Sequence, residues 1–229
     1  MSVVVKICGL STPETVEAAV HAGADMVGFV SFPPSPRHVA LPNIAELARL
    51  ARGRAETVLL SVDMDIAALA ELAAAVKPDW LQLHGHETPE AIGVLRRELG
   101  LPVMKALPVS TREDLEQVRR YESVVDRILF DAKAPKDATR PGGLGVPFDW
   151  HLLAGLDCAV PFMVSGGLDA ANVAQALSLT AAHLTADHGV DTSSGVETAP
   201  GVKSIDKIEA FIRAVREWTA ASGKVAIGQ

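Results

Sequence analysis

Short runs of β-branched and other apolar residues alternate along the chain with Ala- and Leu-rich stretches whose apolar positions recur at helical spacing. One such pair comes roughly every 25 to 30 residues, the length of one strand plus one helix. The first predicted strand is Val3 to Cys8, followed by a turn at Gly9 and a helix announced by Ser11-Thr12-Pro13-Glu14. A hydroxyl can cap the orphan amides there, Pro suits the first turn, and Glu favours the positive end. Gly23 closes that helix, because it can take the left-handed conformation beyond a C-terminus.

The same grammar predicts strand Met26–Val30 with helix Asn43–Arg52, strand Thr57–Val62 with helix Ile66–Val76, and strand Trp80–Leu83 with helix Pro89–Leu99. It continues with strand Val103–Ala106 and helix Arg112–Arg120, then strand Arg127–Asp131, a long loop and a short helix near Trp150–Leu153. Strand Val160–Val164 with helix Ala170–Leu177, and a last strand His188–Thr192 with helix Ile205–Trp218, complete eight units. Continuous apolar runs such as Ile128-Leu129-Phe130 suit strands covered on both faces, as in parallel sheets. Eight consecutive βα units fit an α/β fold of one domain over residues 1–229, a (β/α)8 TIM barrel of parallel strands, better than an open sheet. No linker divides the chain, and residues 219–229 are expected to fray.

Composition narrows the function classes. The 229 residues are 48% hydrophobic, enough for a sizeable core without disulfides or metals. With 21 Lys plus Arg against 28 Asp plus Glu, the formal charge of −7 disfavours nucleic-acid binding, so an anionic ligand must be held by local groups. The two cysteines, Cys8 and Cys158, make no disulfide framework and point to a reducing compartment. The N-terminus does not read as a signal peptide and no apolar run is long enough to span a bilayer, so a cytoplasmic protein without membrane contact is expected. A monomer is the default, a dimer being left open, because no predicted outer helix shows an excess apolar face.

In a barrel of this kind the reactive groups gather at the carboxyl ends of the strands. That filter selects Lys6, Cys8 and Gly9; Ser35-Pro36-Arg37; Asp63; Gln82-Leu83-His84-Gly85; Lys105; Asp131; Ser165-Gly166-Gly167; and Asp191 to Gly195. The glycine-containing loops after the last two strands, at Gly166-Gly167 and Ser194-Gly195, could cradle a phosphate with backbone amides, or simply make tight turns; two in the final units favour a phosphorylated metabolite. Cys8 reads as a core residue or as an acid/base thiol. Asp131 ends an apolar run, where a carboxyl is costly unless paired or functional. Arg37, in a proline-stiffened loop, could be a solvated cation or a held guanidinium for a carboxylate. His84 and His86 lack companions for a metal site, and His84 reads better as a positioning or packing residue. Lys105 reads as a buried ion pair before a Schiff-base lysine. Asp63 and Gln82 are polar residues of the mouth with no assigned role, Cys158 is structural, and Trp80 and Trp150 pack.

The ordered set Lys6-Ile7-Cys8-Gly9, Ser35-Pro36-Arg37, Gln82-Leu83-His84-Gly85, Asp131, Gly142-Gly143-Leu144-Gly145, Phe148-Asp149-Trp150, Gly166-Gly167-Leu168, Val190 to Glu197 and Gly201-Val202-Lys203 resembles the phosphoribosylanthranilate isomerase family over nearly the whole chain. The resemblance implies a cofactor-free isomerase of tryptophan biosynthesis, an aldose–ketose enzyme. It would convert N-(5-phosphoribosyl)anthranilate to 1-(2-carboxyphenylamino)-1-deoxyribulose 5-phosphate by an Amadori rearrangement. It makes Cys8 the general base and Asp131 the general acid. Arg37, His84 and Asp191 would contact the substrate, and backbone at Gly143, Gly145, Gly166, Gly167, Ser194 and Gly195 its phosphate. Near neutral pH the chemistry would need Asp131 protonated by burial and Cys8 available as thiolate, helped by Lys6.

The sequence departs from the family at Leu144, where Thr or Ser is usual, at Ser61-Val62-Asp63, and at Ser165, where Ala is common. Other phosphate-binding barrels of amino-acid biosynthesis are the rival reading: indole-glycerol-phosphate synthase, the tryptophan synthase α subunit or the histidine-pathway sugar isomerase. The pairing of Cys8 with Asp131 argues against them. A barrel that binds such a metabolite without turnover is the non-enzymatic alternative.

Overall fold

A computed structural model describes residues 3–135, 142, 147–180 and 188–225. Eight parallel strands close into a barrel in sequence order. They are β1 (Val4–Cys8), β2 (Met26–Ser31), β3 (Glu56–Ser61), β4 (Trp80–Leu83), β5 (Val103–Val109), β6 (Arg127–Ala132), β7 (Phe162–Val164) and β8 (Gly189–Thr192). Closure is made by β1 pairing β8, with Lys6 opposite Asp191. The helices α1 (Pro13–Ala22), α2 (Leu41–Ala51), α3 (Ile66–Val76), α4 (Pro89–Leu99), α5 (Val118–Tyr121), α6 (Val173–Thr180) and α7 (Ile205–Val225) surround it.

Local signals place most of these elements. Thr12 Oγ1 accepts from the Thr15 amide at the start of α1, and Gly23 ends the helix at φ 94°. Thr88 and Gly100 cap α4 in the same way. Several elements differ from expectation: α2 begins two residues earlier, at Leu41, β7 two later, at Phe162, and α6 three later, at Val173. β5 runs three residues past Ala106 because Leu107 to Val109 still pair with Phe130 to Ala132 of β6. The helix expected over Arg112–Arg120 is a 3-10 turn, Glu113–Gln117, followed by the single turn of α5. A small antiparallel hairpin, β9 (Glu197–Ala199) with β10 (Val202–Lys203), follows β8. The last helix continues to Val225 instead of ending at Trp218.

Alternation along the strands sorts the interior into two zones. Met26, Val58, Met104, Ala106, Leu129 and Met163 form an apolar plug, with Trp80 packed against it. Nearer the carboxyl ends, Cys8, Gln82, Asp131, Ser165 and Asp191 line an open space. The main core lies between barrel and helices, including Ile7, Phe29, Phe130, Phe162 and Phe211. The polar side chains that line the open space lie above this plug, while Arg127, at the amino end of β6, donates to Met26 Sδ at 3.2 Å and stacks over Trp80.

Candidate active site

A cleft open to solvent occupies the carboxyl end of the barrel. Its lining brings together Cys8, Arg37, His84, Asp131 and Asp191, along with Gly166, Gly167 and Ser194. Gly195 sits behind that wall: a side chain there would strike the Leu168 carbonyl, on which Thr192 Oγ1 also donates at 2.6 Å. Gly143 and Gly145 lie outside the described residues. Gly166 and Gly167 hold φ 77° and 67°, and a Cβ on either would press on Ala132 or Pro147 backbone, so the loop after β7 admits glycine alone.

Beneath the cleft, Lys6 is fully buried and donates to Asp191 Oδ1 at 2.6 Å. Ser165 Oγ donates to the other oxygen, Oδ2, at 3.1 Å. Burial pushes the Lys6 ammonium down, but the charges of Asp191 and Cys8 more than offset it, and its net shift is upward. Cys8 is two residues along the same strand face and 4% exposed. Burial pushes its thiol up; Lys6 and Lys203 oppose that, while Asp191 reinforces it. The net shift of the thiol is upward: Lys6 favours the thiolate but is shared with Asp191, and burial outweighs it.

Across the cleft, the Asp131 carboxyl accepts from the Ala132 amide through Oδ1 at 2.9 Å, and its Oδ2 lies 3.3 Å from His84 Nε2. On the other side of the ring, Gln82 Nε2 is 3.2 Å from His84 Nδ1. The Gln82 amide nitrogen donates to Nδ1, which leaves Nε2 as the ring atom facing Asp131. Gly142 roofs this pair: a Cβ would stand 2.5 Å from Asp131 Oδ2 and 2.8 Å from His84 Nε2.

Arg37 is held by an ion pair that the sequence reading lacked. Its Nε and Nη2 donate to Glu197 Oε1 and Oε2 at 2.7 and 2.8 Å, a bidentate fork. Glu197 opens the hairpin, and from β10 Lys203 Nζ donates to Glu197 Oε1 at 2.8 Å and to the Ser193 carbonyl at 2.8 Å. Burial would raise the Glu197 carboxyl, but Arg37 and Lys203 hold it below its ordinary value. The hairpin therefore ties the Arg37 loop to the loop of Ser193 and Ser194. Its sequence signal was the Glu197 and Lys203 pair flanking Gly201.

Lys105 and Asp63 do not line the cleft. Lys105 Nζ, 2% exposed, donates to the Gly85 carbonyl at 2.7 Å and to Glu87 Oε2 at 3.0 Å, bracing the loop that carries His84. Asp63 pairs with His86 on the surface at 3.0 Å. Cys158 donates to the Val160 carbonyl at 3.2 Å, away from the cleft. Among the described residues no group of three or more His, Cys, Asp or Glu side chains could hold a metal ion, and no helix is long and apolar enough to cross a membrane.

A family model described as N-(5'-phosphoribosyl)anthranilate (PRA) isomerase matches residues 5–214. The N-(5'-phosphoribosyl)anthranilate isomerase of Afipia carboxidovorans is 61% identical over 216 residues, 94% of this chain and 90% of its own length. The crystal structure of phosphoribosyl anthranilate isomerase from Thermotoga maritima superposes with a TM-score of 0.81 at 32% identity, over 94% of this chain and 99% of that one. A further structure of such an isomerase, in complex with reduced 1-(o-carboxyphenylamino)-1-deoxyribulose 5-phosphate, gives 0.77 at 30% identity over the same shares.

Proposed function

The chain belongs to the phosphoribosylanthranilate isomerase family, and from that premise we propose which of its residues carry the reaction. The enzyme catalyses the Amadori rearrangement of N-(5-phosphoribosyl)anthranilate to 1-(2-carboxyphenylamino)-1-deoxyribulose 5-phosphate in tryptophan biosynthesis.

Asp131 delivers a proton to the furanose oxygen; the C1–O bond breaks and the nitrogen lone pair forms the iminium. Cys8, as thiolate, takes the C2 proton, and the electrons of that bond form C1=C2 while the C=N pair returns to nitrogen, giving the enolamine. Protonation at C1 and loss of the C2 hydroxyl proton yield the ketone and restore thiolate and acid. One base and one acid suffice: the Cys8 thiol returns its proton to C1 and the Asp131 carboxylate takes the C2 hydroxyl proton, so both groups end the cycle as they began it. The observation that carries this assignment is that Cys8 and Asp131 line the same cleft from strands β1 and β6.

The working form, thiolate with carboxylic acid, holds one proton between the two groups, as does thiol with carboxylate. A cationic iminium in the cleft favours the thiolate, offsetting the burial that raises Cys8. Arg37, aimed by Glu197, meets the substrate's aromatic carboxylate. The loops of Gly166, Gly167, Ser194 and Gly195 hold the phosphate through backbone amides, with Gly143 and Gly145 assigned to the same task. His84 orients Asp131, and Asp191 faces the sugar from the floor of the cleft.

We read the chain as a cytoplasmic enzyme acting as a monomer. In support, the exposed large apolar side chains among the described residues are Leu41, Val202 and Ile205. The test of the residue assignment is complementation of a tryptophan auxotroph lacking this isomerase. Growth with the parent gene and none with Cys8→Ser or Asp131→Asn, at equal expression, is expected; growth with both variants overturns the assignment.

A further inference from the structure

Gln82 is 1% exposed and lines the cleft, on β4 between the apolar plug and His84. Its Nε2 is used on His84. Its Oε1 is buried and accepts no hydrogen bond among the described residues. A buried amide oxygen gives up its hydration on folding, and leaving it unpaired is unfavourable, so its retention at the wall of a binding cleft calls for a donor supplied by what binds there.

The isomerase reading, on which this step rests, restricts what that donor can be. The carboxylate and phosphate of the substrate accept hydrogen bonds and would be repelled by an amide oxygen. The aniline N–H is engaged by the carboxylate ortho to it. The remaining donors are the sugar hydroxyls, which are also the groups next to the carbons handled by Cys8 and Asp131. We propose that Gln82 is a further substrate-contacting residue, its Oε1 accepting a hydrogen bond from a chain hydroxyl of the sugar while its Nε2 holds His84 against Asp131. One side chain then ties the position of the sugar to that of the acid.

The experiment is calorimetric binding of reduced 1-(o-carboxyphenylamino)-1-deoxyribulose 5-phosphate, and of analogues each lacking one chain hydroxyl, to the parent enzyme and to Gln82→Met. Met preserves length and volume without the polar atoms. One deoxy analogue should bind the parent about tenfold more weakly than the full compound. Gln82→Met should bind the full compound about tenfold more weakly than the parent does and show no further loss on that analogue. Parental affinity in Gln82→Met, or equal losses on every analogue in both proteins, overturns the proposal. Should Gln82→Met fail to fold, a crystal structure of the parent with the reduced compound decides instead. Oε1 within hydrogen-bond reach of a chain hydroxyl supports the contact, and a separation beyond about 3.5 Å from all of them overturns it. Failure of the parent itself to bind the reduced compound would bring down the isomerase reading and this proposal together, whereas parental affinity in the variant brings down this proposal alone.

Discussion

Lys6 and Asp191 meet at 2.6 Å across the seam where the first and last strands close the barrel. A fully buried ammonium is tolerable there because its partner carboxylate is fixed from the opposite side by Ser165. The pair neutralises the floor of the cleft beneath Cys8, and Lys6 divides its charge between Asp191 and the thiol. Closure of the fold and the electrostatics of the Cys8 thiol are thus linked through one interaction.

Removing the cation should be costly. Lys6→Met leaves Asp191 buried without its counter-ion, and stability in a denaturant titration should fall by about 3–5 kcal/mol. Pairing it with Asp191→Asn should recover part of that loss. A Lys6→Met protein as stable as the parent would show that the ion pair contributes nothing net.

Cys8→Ser and Asp131→Asn should each lower kcat by at least ~100-fold, while the reduced product still binds within a few-fold of the parent. Steady-state fluorescence and calorimetry read the two quantities separately. A kcat near the parental value in either variant removes that residue from its role.

The pH profile follows from the raised Cys8 thiol. On the proposed roles, the acid–base pair works with one proton between its members and loses it as the thiol ionises. kcat/KM should therefore stay level through the ordinary thiol range near about 8.5 and fall above it. A decline that begins below about pH 8 contradicts the upward shift.

Glu197 supports both Arg37 and the hairpin, and its carboxyl titrates below its ordinary value. A group depressed on folding stabilises the native state above its unfolded pKa, and that contribution is lost as pH falls through the folded value. Glu197→Gln should lower the melting temperature at pH 7, with the gap to the parent closing as the medium is acidified below about pH 4. Its KM should rise with kcat less affected, since Arg37 loses its brace. A pH-independent gap would refute the linkage.

A side chain at Gly142 would crowd the Asp131–His84 pair and force one of the two to shift. Gly142→Ala should cut kcat by roughly tenfold or more, because small displacements of a catalytic group are costly, with little change in melting temperature. Unchanged turnover would mean that the loop yields without moving the acid.

The alternation of apolar runs, the Thr12 and Thr88 caps and the glycines at 23 and 100 dictated the order of elements in the sequence itself, because each signal acts within a few residues of the backbone it shapes. Cys8, Asp131, Arg37 and His84 were legible as mouth residues for the same reason: position at a strand's carboxyl end is a local property in this fold. Their partners were not. Arg37 finds Glu197 160 residues away, Lys6 finds Asp191 across 185, and whether Cys8 rests as thiol or thiolate depends on burial and on charges from β8 and β10. Such contacts follow from barrel closure and strand register, which no short stretch of chain encodes, so the identity of the chemical groups lay in the sequence while their charge states and couplings were decided by the tertiary structure.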